Sequence, residues 1–237
     1  MQRWLPENIS TYGADIDSLF YVVYYLTGVT FLLVAGVMLY YLVKYRDRGD
    51  GRRAIYTHGN GTLEVVWTVI PAVIFVILGI SSESVWAKIK KDIPEPDLEV
   101  RIHGKQFNWE IYYPGPDGEL GTADDPKPTE NMLRVPLNKK VVVNLTAEDV
   151  IHSFFVPQIR LKQDALPGRQ ITVWFEATKA GRYEIACAEL CGFGHTTMQG
   201  FLQVLDSDPS SWDKPGKSTV KRSVKRGWPT ALLPTGL

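Results

Sequence analysis

The sequence predicts a membrane-anchored, mainly β protein, with an N-terminal two-helix transmembrane hairpin followed by a β-barrel or sandwich. Two long stretches, residues 18–43 and 65–82, contain no charged side chain. A loop dense in Lys and Arg separates them. Beyond residue 97, short runs of β-branched and aromatic residues recur between turns rich in Gly and Pro.

The first uncharged stretch has 26 residues. As a helix it would span about 39 Å, more than the ~30 Å hydrocarbon core of a bilayer, so it can cross with some tilt. It does not read as a signal peptide, because it is too long and is preceded by Asp15 and Asp17 rather than by a basic cluster. The second stretch has 18 residues and contains Pro71, which predicts a kink. Trp67 and Trp86 sit near the two ends of the second helix, as interfacial aromatics do. Between the helices lies Lys44-Tyr-Arg46-Asp-Arg48-Gly-Asp-Gly-Arg52-Arg53. Such a loop stays in the cytoplasm. Both chain ends then lie outside, in the periplasm or its equivalent. The expected location is the inner (plasma) membrane, crossed twice.

The expected division is an extracytoplasmic N-terminal segment (1–17), the hairpin (18–82, with its cytoplasmic loop at 44–64), a connector (83–97), a β domain (98–206) and a basic tail (207–237). In the β domain, strands are expected near 98–113, 132–135, 140–146, 153–156, 170–177, 181–186 and 200–205. Val141, Val143 and Leu145 alternate onto one face, as do Ile171, Val173 and Phe175. Many short strands with Gly and Pro turns favour a sandwich or barrel.

Charge is balanced overall, with 26 basic and 26 acidic side chains, but unevenly spread. Residues 91–206 carry 12 basic and 17 acidic groups, a net of −5; residues 207–237 carry 6 and 2, a net of +4. An acidic domain attracts a basic partner. A basic tail suits lipid headgroups or an acidic subunit. Nothing points to nucleic acid, since the basic residues form no aromatic-interleaved motif. No Cys-x-x-Cys-His is present in the sequence, so no fused c-type haem domain is expected. Residues 114–128 hold Asp117, Glu119, Asp124 and Asp125 among Gly and Pro. These read as a solvated acidic loop and docking surface; the Ca²⁺ alternative lacks EF-hand spacing.

The chemistry concentrates in Cys187-Ala-Glu-Leu-Cys191-Gly-Phe-Gly-His195-Thr-Thr-Met198, which holds both cysteines of the chain. Thiolate, imidazole and thioether together select a copper-type metal over hard cations. Cys191, His195 and Met198 have the order of a blue-copper loop. A second imidazole must come from elsewhere, and His152 in Val-Ile-His-Ser-Phe-Phe is the candidate. A mononuclear site uses one thiolate, and here there are two. Two thiolates, two imidazoles and a Met suit two coppers bridged by sulfur. An electron spread over two metals changes geometry little on arrival or departure. A disulfide, a structural zinc site and a site that has lost its metal are the competing readings.

At these residues the sequence resembles cytochrome c oxidase subunit II and its dinuclear copper (CuA) loop. His152, Cys187, Cys191, His195 and Met198 match by side chain, and Glu189 matches the residue that binds copper through its backbone carbonyl. Residues 161–169 (Leu-Lys-Gln-Asp-Ala-Leu-Pro-Gly-Arg) and 64–71 (Glu-Val-Val-Trp-Thr-Val-Ile-Pro) also look like the family, and the similarity runs from about residue 15 to 205. It implies a cupredoxin-like Greek-key β-barrel or sandwich with the copper loops at one end. It further implies a Mg ion at the boundary with subunit I, reached by the Glu189 side chain, with Asp164 and Arg169 at the same boundary. Glu64 would stand at the entrance of a proton path. Phe107 occupies the place of the family's electron-accepting Trp, in Phe107-Asn-Trp109 where the family has Trp-Tyr-Trp. Phe107 and Trp109, two residues apart, are expected on one strand face. His58 and His103 read as surface and strand residues.

The resemblance implies the electron-accepting subunit of a haem–copper oxidase. Its partners would be a cytochrome c-type donor or donor complex, the haem-bearing subunit I, other oxidase subunits and the lipid bilayer. Oxygen would be reduced to water on another chain. The alternatives are a CuA-bearing subunit of a related reductase, such as that of nitric oxide, a membrane-anchored copper carrier, and a purely structural subunit.

Overall fold

The computed structural model describes residues 5–53 and 55–206; the expected basic tail at 207–237 lies outside the described residues. Two long helices open the chain, α1 (Gly13–Lys44) and α2 (Gly61–Lys90). The Asn60 side chain caps α2 by accepting the Leu63 N–H at 3.1 Å, one of the donors a helix start leaves unpaired. No residue of α2 is buried and only Gly13 of α1 is. Apolar side chains such as Leu32, 71% exposed, face outward along both helices. A core hairpin of a soluble protein would bury them, so the pair fits a bilayer. Helix α2 runs through Pro71 and on to Lys90, into the segment expected as a connector. Residues 83–90 contain no Gly or Pro, and the first breakers are Pro94 and Pro96.

Ten strands follow among the described residues: β1 (Leu98–Lys105), β2 (Asn108–Tyr112), β3 (Thr129–Glu130), β4 (Met132–Pro136), β5 (Lys140–Ala147), β6 (His152–Val156), β7 (Leu161–Ala165), β8 (Ile171–Glu176), β9 (Gly181–Cys187) and β10 (Gln199–Leu205). They form two five-stranded sheets, ordered β3-β2-β1-β5-β8 and β4-β10-β9-β6-β7. The chain changes sheet at β3–β4, β4–β5, β5–β6, β7–β8 and β8–β9. This is the cupredoxin-like sandwich expected from the resemblance. Trp109, Phe154, Phe175, Ile102, Leu145 and Leu202 are fully buried in its core.

Three local expectations are corrected. The single strand expected over 98–113 is a hairpin, in which Lys105 pairs with Asn108 across a two-residue turn at Gln106 and Phe107. That turn carries no Asn-Gly or Gly-rich signal; its partners come from distant segments. The short strands β3 and β7 have no expected counterpart, because one is two residues long and the other carries Lys162, Gln163 and Asp164. In β5, burial does not alternate: Val142 and Asn144 are buried as well as Val141, Val143 and Leu145.

Both faces of β5 are covered because other parts of the chain dock on the outer one. Val142 pairs with Trp174, which shares that face. The Tyr12 ring packs edge-on against Trp174 at 5.4 Å, and the Trp174 indole N–H donates to the Ile89 carbonyl at 2.9 Å. The N-terminal segment is thus part of the β domain. Ile9 and Tyr12 are buried, the Ile9 N–H donates to the Gln158 carbonyl, and its own carbonyl accepts from Thr178. Arg160 forks onto Asp17 at 2.7 and 3.0 Å. Lys88 pairs with Asp15 across the helices at 2.6 Å. The residues before α1 and after α2 therefore lie together beside the sandwich, as a chain that crosses a membrane twice requires.

Candidate metal centre

The β9–β10 hairpin builds most of the site. Ala186 pairs with Gln199, and the Cys187 N–H reaches the Met198 carbonyl at 3.4 Å. Residues 187–198 are therefore one loop closed at its neck by its first and last ligand-type residues. A 3-10 turn at His195–Thr197 folds His195 back toward Cys191. On the other side of Cys187, β9 pairs with β6, with Cys187 opposite Phe154. That register brings His152, the first residue of β6, beside the cysteines.

His152 Nδ1 lies 3.9 Å from Cys187 Sγ. The two sulfurs are 3.9 Å apart, and both cysteines are free. A disulfide would need about 2.0 Å. Cys191 Sγ is 3.6 Å from His195 Nδ1 and 3.8 Å from Met198 Sδ. The Glu189 carbonyl oxygen is 3.3 Å from Cys187 Sγ. His152, Cys187, Cys191 and Met198 are all buried. The potential ligand atoms of His152, Cys187 and Cys191 lie within 4.8 Å of one another, as a metal requires. Burial, and then the neighbouring Cys187, push the Cys191 thiol up to about 11. A metal ion reverses such a balance by holding the thiolate. The donors are soft sulfur and imidazole in a buried pocket, which fits copper and disfavours Mg²⁺ or Ca²⁺.

Asp149 was missed by the sequence reading, although it stands three residues before His152. Its Oδ1 lies 2.8 Å from His152 Nε2 and accepts the Val150 N–H at 2.7 Å; its Oδ2 accepts the Gln106 N–H at 2.8 Å. Burial raises its pKa, but the hydrogen bonds from His152 and the two amides outweigh this and hold it down to about 2. A carboxylate only accepts, so His152 carries its proton on Nε2 and turns its Nδ1 lone pair toward the sulfurs. Gln106 was also missed. Its side-chain amide donates to the Cys191 carbonyl at 2.6 Å.

The other sequence-predicted residues fall in different places. Phe107 and Trp109 do not share a strand face: Phe107 is in the β1–β2 turn, half-buried, and Trp109 is in β2, fully buried. The Phe107 ring packs on the ligand loop so closely that a Cβ on Gly194 would come within 2.5 Å of it. The Trp109 ring meets the His152 ring at 6.0 Å. Glu189 has an exposed side chain. Asp164 accepts the Ser153 hydroxyl at 2.7 Å, next to His152. Arg169 bridges to Leu166 in the turn before β8. Glu64 sits exposed in the first turn of α2. His58 stacks edge-on with Tyr56 in the exposed interhelical loop, and His103 lies 3.8 Å from Glu148. Asp117, Asp124 and Asp125 form a second group with potential ligand atoms within 4.8 Å.

The family of the transmembrane domain of cytochrome c oxidase subunit II matches residues 1–85, and that of its periplasmic domain matches residues 127–205. A probable cytochrome c oxidase subunit 2 of Rickettsia bellii is 34% identical, over 78% of this chain and 72% of that protein. Cytochrome c oxidase subunit 2 of Thermostichus vulcanus is 32% identical, over 88% of this chain and 76% of that protein. Among solved structures, the periplasmic domain of subunit II of the Bradyrhizobium japonicum cytochrome oxidase is 34% identical, covering 48% of this chain and 88% of that one, with a TM-score of 0.42. With both family domains matched in order and relatives aligned along most of its length, the chain belongs to the cytochrome c oxidase subunit II family.

Proposed function

We propose that this chain is the electron-accepting subunit of a membrane-bound haem–copper oxidase. It takes electrons singly from a cytochrome c-type donor in the periplasm and passes them to haem in subunit I, where oxygen is reduced to water. One observation carries the reading. Two free cysteines, two histidines, a methionine and a backbone carbonyl converge in a largely buried pocket, from β6 and from the loop closing β9 and β10. His152, Cys187, Cys191, His195, Met198 and the Glu189 carbonyl would hold two copper ions there. Copper bound by thiolates supplies one-electron chemistry, with Met198 and the carbonyl as weak ligands that tune the potential.

The protein's own part is to hold that donor set and keep it dry. Met198, Cys191 and His152 exclude water by their burial. Asp149 fixes the His152 tautomer. Ligands this buried suit an electron carrier that keeps its metal, rather than a chaperone that hands it on. Phe107 offers a ring at the surface directly over the ligand loop, and Trp109 lies behind it against His152; these are the proposed donor-side residues. Glu189, with its side chain in solvent, would reach a Mg ion at the boundary with subunit I, where Asp164 and Arg169 also belong. Glu64, at the opposite end of α2 from the β domain, would open a proton path.

The test is rapid mixing of the assembled oxidase with reduced cytochrome c. The copper–thiolate absorption should bleach before haem is reduced. In the assembled Cys191→Ser complex, haem reduction by the donor should collapse while a small-molecule reductant still reaches the haem. Undiminished haem reduction by the donor in that variant would refute the reading.

A further inference from the structure

The two ligand-bearing segments meet a third, the two-residue turn between β1 and β2, and that turn touches both. The Gln106 backbone N–H donates to Asp149 Oδ2 at 2.8 Å. The other oxygen of the same carboxylate lies 2.8 Å from His152 Nε2. The Gln106 side-chain N–H donates to the Cys191 carbonyl at 2.6 Å. Its neighbour Phe107 fills the space over Gly192 and Gly194, where a Cβ would come to 3.4 and 2.5 Å of the ring. One residue thus grips the β6 side through its backbone and the ligand loop through its side chain.

The loop needs such a grip. Gly192, at φ +133°, and Gly194 confer backbone freedom, and Leu190 and Phe193 project into solvent at 78% and 106% exposure, so they contribute no packing to it. We propose that Gln106 is a positioning residue that locks the 187–198 loop and His152 in their mutual arrangement before any metal arrives. The site is then preformed, and the turn that carries the half-buried Phe107 ring is mechanically tied to a cysteine and a histidine ligand. A preformed site binds more tightly because less ordering remains to be done on binding. Residues that orient ligands in this way typically change metal affinity by about 10–100-fold.

The experiment compares the full-length chain in detergent with Gln106→Ala and Gln106→Glu. Gln106 is exposed, so neither change disturbs the core. Glu has the shape of Gln, but its carboxylate cannot donate to the Cys191 carbonyl. In metal-free protein, amide hydrogen exchange at residues 191–198 should accelerate in both variants, while β5 and β8 stay as protected as in the unchanged chain. After copper loading, release to a copper(I) chelator should be at least about tenfold faster in both. A residue that merely packs would leave Gln106→Glu like the unchanged chain. Unchanged exchange and release in both variants would overturn the proposal, and so would loosening in Gln106→Ala alone. The release arm rests on the copper reading above. If the unchanged chain takes up no copper, that reading fails, and the exchange arm still decides the role of Gln106.

Discussion

Among the described residues, two groups of ligand-type side chains lie close enough to hold one ion, and they differ in burial, donor chemistry and outside support. Both His152, Cys187 and Cys191 and Asp117, Asp124 and Asp125 bring their ligand atoms within 4.8 Å. The aspartates come from one exposed loop and use their oxygens locally. Asp125 accepts the Gly115 and Gly121 amides at 2.8 and 2.6 Å, and Asp124 accepts the Thr122 hydroxyl at 2.7 Å. They stabilise their own turn. The cysteines and His152 come from segments 35 residues apart. They are buried, and outside residues (Asp149, Gln106 and Phe107) hold them in place. Proximity of donors is therefore weak evidence for a metal. Burial, a soft and mixed donor set and external support are what separate a candidate centre from a folded acidic loop.

The largest expected effect comes from removing a cysteine of the proposed copper site. Cys191→Ser should abolish the shared-electron copper signal and lower copper below two per chain, read by metal analysis and paramagnetic resonance. Retention of both coppers would erase the distinction between the two groups. Asp149→Asn comes next. The amide can offer an N–H to His152 Nε2 and favour the wrong tautomer, so copper affinity should fall about 10–100-fold, read by chelator competition. Gly194→Ala drives a Cβ to within 2.5 Å of the Phe107 ring, an overpacking that costs about 1–3 kcal/mol. It should lower the thermal midpoint of the β domain and loosen the ligand loop, leaving the 114–128 loop unchanged.

The smallest effects belong to the acidic loop. Asp124→Asn should leave copper content and spectrum unaltered. The Gly121 amide, foremost, holds Asp125 below the usual carboxylate range, and the Thr122 hydroxyl does the same for Asp124. A depressed folded-state pKa adds stability above the unfolded value, about 3.9, and that stability is lost as pH falls through the folded value. Acidification below about pH 4 should therefore lower the protection of the Gly115 and Gly121 amides relative to their intrinsic exchange at the same pH, with no change in that protection between pH 6 and 8.

The convergence of the candidate metal donors was legible in the sequence because their identity is carried by residue type and order: Cys187, Cys191, His195 and Met198 fall within one hairpin loop, and His152 stands out among few histidines. The hairpin helices were legible because bilayer crossing imposes a length and a composition. What holds the donors was not legible. Gln106 and Asp149 act only because β1 breaks at residue 106, and that break is set by partners 43 and 85 residues away. The same holds for Ile9 and Tyr12. They read as part of a lead-in to the first helix, yet they complete the β domain, because the edge strand β8 offers the Glu176 carbonyl and Trp174 to whatever chain lies beside it. Any fragment of this domain that starts after α2 would lack them and expose Trp174.

The most direct test of a dinuclear copper centre is a copper count on the purified full-length chain, together with its paramagnetic resonance spectrum in the oxidised state. Two coppers per chain sharing one unpaired electron equally are expected. A single copper with an undivided signal, or no copper with Cys187 and Cys191 joined, would contradict it.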